Sequence, residues 1–111
     1  MQDDEKLRQQ IADIAVRYIK RTHGELGQLR EALAAIRAGD AGAQKQLERL
    51  AHKIHGSGAM FGFDAISERA QEIEQLAGSG QNDADTLSRI EQSLTRLEAE
   101  VASVGKQQGG A

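Results

Sequence analysis

The residues most able to do chemistry stand together in Leu50-Ala-His-Lys-Ile-His-Gly-Ser-Gly-Ala-Met-Phe-Gly-Phe63. At 100° per residue, with Leu47, Leu50, Ala51 and Ile54 setting the core direction, His52 points roughly 130–140° away, towards solvent. His55 falls nearer the core edge, at about 80°, while Gly56 lies at about 180° and leaves the surface beside His52 bare. Arg49 at i−3 and Lys45 at i−7 lie within roughly 60° of the same face, so that, with His55, up to three potential cations surround one imidazole. A neutral imidazole, the dominant form of an ordinary exposed histidine at neutral pH, is a good nucleophile. Attack on a phosphoryl group asks little more of a protein than positioning and charge neutralisation. A glycine one turn beyond the histidine lets a docking partner bring its donor atom into line. Glu48, at i−4, works against this chemistry unless it turns towards Arg49 or Lys45, because it repels a phosphorylated ring.

Each of these residues also has a plain structural reading. Surface histidines are mostly solvated, Lys45 and Arg49 suit an ordinary charged face, and Gly56 and Gly58 suit a fraying helix end. Their conjunction argues otherwise: two glycines inside a helix cost about 1 kcal/mol each against alanine, and both fall beside the one solvent-facing histidine of that helix.

The elements that must position this segment are helices. Proline is absent, aromatics are 3% of the 111 residues, and Ala, Leu, Glu, Gln and Arg dominate the periodic stretches, which defines an all-α class with an aliphatic core. Leu7, Ile11, Ile14, Ala15, Tyr18 and Ile19 predict a first helix over residues 4–21. Gly24 interrupts the pattern, and Leu26, Leu29, Leu33 and Ile36 predict a second helix ending at Ala38-Gly39-Asp40, with Gly39 at the C′ position. A third helix, capped by Asp40, carries Leu47, Leu50, Ala51 and Ile54 and runs through Gly56 and Gly58 towards Phe61. Asp64 caps a fourth with Ile66, Ala70, Ile73 and Leu76 inward, ended by Gly78-Ser79-Gly80. Leu87, Ile90, Leu94, Leu97, Val101 and Val104 define the last helix. This regular seam is read as bundle packing rather than a dimeric coiled coil, because it spans barely three heptads. The expectation is a single domain over residues 1–104, a four-helix bundle core with an additional N-terminal helix, and a flexible tail or linker over 105–111.

At the histidine segment the sequence resembles histidine-containing phosphotransfer (HPt) domains, whose motif reads approximately Ala-His-x-Leu/Ile-Lys-Gly-Ser/Gly-x-x-x-x-Gly. Here it stands as Ala51-His52-Lys53-Ile54-His55-Gly56-Ser57-Gly58, followed by Phe61-Gly62-Phe63. The likeness extends to the phosphotransfer domain at the front of chemotaxis histidine kinases, where Gly-x-x-Phe-Gly-Phe also follows the histidine. The resemblance implies phosphorylation of His52 on Nε2 and exchange with the aspartate of a receiver domain, in a response regulator or hybrid kinase, that supplies Mg²⁺. It further implies that Glu74, matching an acidic position of chemotaxis-type domains, helps orient His52. The family usually has lysine where His55 stands. Lys45, Arg49, Lys53, His55, Gly56 and Gly58 are then the phosphate environment and docking surface.

Other expectations bound the function. There is no cysteine, and net charge is −3 with both signs interleaved, so thiolate chemistry is excluded and no nucleic-acid footprint shows. No apolar run of signal-peptide or membrane-span length occurs, which suits a cytoplasmic protein without membrane contact. No Gly-rich phosphate loop appears, so a phosphocarrier without kinase activity or cofactor of its own is expected, as a monomer. Two other readings stay open. Glu48, His52 and His55 at i, i+4 and i+7 could share a metal, although no metal site is assigned; and Met60-Phe61-Gly62-Phe63 could dock a partner without chemistry, or plug the bundle base.

Overall fold

The computed structural model describes residues 2–108, which form four helices: α1 (Gln2–Arg37), α2 (Ala43–Met60), α3 (Asp64–Gly78) and α4 (Ala84–Gln108). Each helix packs against two neighbours, in the pairs α1–α2, α2–α3, α3–α4 and α4–α1, which closes an up-down-up-down bundle. Buried Leu29, Leu33, Leu47, Ile54, Ile66, Ile73, Ile90, Leu94 and Leu97 fill its centre. Among the described residues no helix is long and apolar enough to cross a membrane.

The five helices expected from the sequence are four, because α1 runs unbroken through Gly24 and Gly27. Both glycines are exposed, and their cost of about 1 kcal/mol each is offset by a single stripe that stays in register across them. Tyr18, Thr22, Leu26, Leu29, Leu33 and Ile36 are all buried along it. With 36 residues, α1 is about 54 Å long and overshoots its neighbours. Leu7, Ile11 and Ile14, predicted to point inward, are exposed, and Ile11 and Ile14 border an open apolar groove with Phe61 and Phe63. Ion pairs from Arg30 to Glu98 (2.6 Å) and Arg37 to Glu91 (3.0 Å) tie α1 to α4.

The turns depart from the sequence reading in detail. Gly39 does end α1 at φ +98°, with its N–H donating to the Ile36 carbonyl and that of Asp40 to Ala35. Asp40 does not cap α2, which starts at Ala43; its carboxylate accepts the Gly42 N–H inside the turn. Asp64 is the first residue of α3, with Phe63 at the cap position. α4 continues through Gly105 to Gln108, so the predicted tail does not start at 105, and residues 109–111 lie outside the described ones. Gly105 stays helical against Ile19, whose Cγ2 would lie 3.4 Å from an added Cβ. Phe61 and Phe63 lie against the Tyr18 ring at centroid distances of 4.7 and 5.5 Å, while Met60 and Phe61 stay exposed, so the segment packs on α1 and also leaves an apolar face open.

Candidate functional site

Helix α2 is held with Leu47, Ala51 and Ile54 inward, and the step from Ala51 to His52 turns the imidazole out. Close approach of α3 sets what the imidazole meets. A Cβ on Gly58 would lie 3.1 Å from the backbone nitrogen of Ser67, so only glycine lets the helices meet this tightly. There the Ser67 hydroxyl donates to the His55 carbonyl at 2.9 Å. From this point the antiparallel helices run in step, with Glu74 beside His52 and the Glu48 carboxylate over Gly78.

One carboxylate joins both histidines. His52 Nδ1 lies 2.5 Å from Glu74 Oε2, and His55 Nδ1 lies 3.1 Å from Oε1. An ionised carboxylate only accepts hydrogen bonds, so each Nδ1 carries the donated proton and each neutral ring keeps its lone pair on Nε2. The His52 side chain is 71% exposed, against 30% for His55 and 24% for Glu74. Burial works against the charge on Glu74, but the hydrogen bonds from His52 and His55 outweigh it and hold the carboxyl below its ordinary value of 4.5. The arrangement presents one reachable, unprotonated nitrogen on a ring whose other side is anchored to a negative charge.

The predicted site residues divide. His52, His55 and Glu74 come together, and an added Cβ on Gly56 would meet nothing within 4 Å, so the surface there is open. Gly58 is buried beneath α3, where it packs rather than docks. Of the cations expected around His52, Lys45, Arg49 and Lys53 do not line the depression that holds it. Lys53 Nζ pairs with the buried Glu25 of α1 at 3.1 Å, and Lys53 and Arg49 line a separate shallow groove with Gly42, Gln46 and Leu50. Lys45 is exposed, and neither it nor Arg49 makes an ion pair among the described residues. The physical reason is angular: Arg49 flanks His52 on one side, whereas His55 and Glu48 flank it on the other, which is the side α3 covers.

The depression around the imidazole is lined by Glu48, His52, His55, Gln71, Glu74, Gln75, Gly78 and Ser79. Gln71 and Gln75 were not singled out from the sequence. Their signal is the polar row Gln71, Glu74, Gln75 and Gly78, at i, i+3, i+4 and i+7 on one face of α3. The metal set Glu48, His52 and His55 is not the one assembled; Glu74 takes the place of Glu48.

The fold is thus a four-helix bundle that carries an exposed histidine anchored by a carboxylate on the next helix. The Hpt domain family model matches residues 5–100, and the chain belongs to that family. No curated protein and no solved structure was found to match it. Hpt domains are phosphocarriers of two-component signalling; they have no kinase activity of their own and interact with the receiver domains of response regulators.

Proposed function

We propose that Nε2 of His52 accepts a phosphoryl group and exchanges it with the aspartate of a receiver domain. The observation that carries this reading is the Glu74 contact to Nδ1, which leaves Nε2 as the nucleophilic nitrogen of a largely exposed ring. On transfer from an aspartyl phosphate, a P–N bond forms at Nε2 as the P–O bond to the carboxylate breaks. The ring becomes cationic, its Nδ1–H stays hydrogen-bonded to Glu74, and the carboxylate offsets the new charge. Mg²⁺ belongs to the receiver in this scheme, and the open surface over Gly56 admits it. His55 acts as a second donor to Glu74, and the cations of Arg49 and Lys45 serve partner docking rather than the phosphate. The domain works as a monomer exchanging with one partner at a time.

The test is incubation with a phosphorylated receiver. Wild type should acquire an acid-labile, alkali-stable label, and His52→Gln should acquire none. Equal labelling of the variant refutes the assignment.

A further inference from the structure

We infer that His52, His55 and Glu74 form a site for a divalent transition-metal ion such as Zn²⁺, and that this metal competes with the phosphoryl group for His52. Each of the three residues brings a ligand atom within 4.8 Å of the others, from two different helices. Two imidazole nitrogens and a carboxylate oxygen are the donor set preferred by zinc and its neighbours, whereas Mg²⁺ and Ca²⁺ take oxygen ligands. Ligand bonds of about 2.0–2.2 Å place tetrahedral donors roughly 3.3 Å apart. The two imidazoles contact different Glu74 oxygens, at 2.5 and 3.1 Å, and with all three ligand atoms within 4.8 Å of one another, rotation of these surface side chains brings them to that spacing.

The charge environment favours a cation. Glu48 lines the same depression, and Lys45, Arg49 and Lys53 do not. Lys53 is turned to Glu25, so among the described residues no lysine or arginine lines the position the metal takes. Three protein ligands leave a fourth position for water, bordered by Gln71, Gln75 and Ser79.

Competition follows from the proton inventory, and this half rests on the phosphoacceptor reading above. In the metal-free site Nδ1 of His52 holds the proton and Nε2 the lone pair. A metal at Nδ1 takes a lone pair there, and the displaced proton moves through solvent to Nε2. No net proton is released, but Nε2–H has no lone pair left to attack phosphorus.

Calorimetric titration of the full chain with Zn²⁺ alone, and separately with Mg²⁺, tests the site. One Zn²⁺ per chain is expected, weakened at least about tenfold by His55→Gln or Glu74→Gln, with no saturable Mg²⁺ binding. Nitrogen-15 spectra should show the His52 proton moving from Nδ1 to Nε2 on saturation. Absence of saturable Zn²⁺ binding overturns the site, as does binding that survives both substitutions, which assigns the ion to another surface group such as His23. Phosphoryl labelling at saturating Zn²⁺ should fall at least tenfold; undiminished labelling overturns the competition. Failure of the metal-free protein to label refutes the phosphoacceptor reading alone, since the titration stands without it.

Discussion

Removing the Glu74 carboxylate separates the role of the anchor from that of His52 itself. A hydrogen bond to a charged partner contributes about 1.5–3 kcal/mol net. With His52 71% exposed, solvent screening reduces the contribution here to roughly 1 kcal/mol. One tenfold change in rate corresponds to about 1.4 kcal/mol, so Glu74→Ala should slow phosphoryl transfer to His52 roughly fivefold. Glu74→Gln keeps an acceptor oxygen without the charge and should lose less. The assay is the initial rate of His52 labelling from a phosphorylated receiver, paired with nitrogen-15 spectra that report which ring nitrogen carries the proton. An Ala variant that retains wild-type helicity, transfers at the wild-type rate and keeps the proton on Nδ1 refutes the argument that Glu74 selects the reactive nitrogen.

The glycines make a contrasting set. Gly58→Ala should lower stability by about 1–3 kcal/mol, because its Cβ would lie 3.1 Å from the Ser67 backbone nitrogen and push α3 outward, whereas Gly56→Ala should raise it by about 0.5–1 kcal/mol in open space; thermal melts order the two. Gly56→Leu should fold as well as wild type but slow transfer, as measured by labelling rate, by obstructing the partner. Because α1 is continuous, Gly24→Ala and Gly27→Ala should each raise Tm by a few degrees, since both sites are helical and unobstructed; a loss of stability in both refutes the continuous helix. The depressed Glu74 pKa means that its ionised form stabilises the fold above the ordinary value of 4.5, and that this contribution is lost as pH falls through the folded-state value. The Tm difference between wild type and Glu74→Gln should therefore be present near about pH 6 and close on acidification.

How much of this was legible in the sequence varied with the distance over which each feature is decided. The apolar stripes placed α2, α3 and α4 well because helical periodicity is a local property. They failed at Gly24, where a glycine in a long helix looks like a stop, and the compensating register of residues 18–36 only matters once α2 and α4 pack on it. Gly58 failed for a related reason. From sequence it shared the docking face with Gly56, yet in the fold it lies under Ser67. The cations expected around His52 do not line its depression, because an angle about one helix does not say which flank a neighbouring helix will cover.

For His52, the sequence by itself determined that an imidazole stands on the polar side of an amphipathic helix beside a bare glycine. That much follows from 3.6 residues per turn and from the side chains that must be buried. Only the tertiary structure decided which partner the imidazole meets. Glu74 lies 22 residues away in the chain, and its arrival beside His52 and His55 depends on the register set where Gly58 lets α3 approach. On the phosphoacceptor reading proposed above, that contact, rather than any property of the histidine segment, sets which ring nitrogen holds the proton and which is left to react.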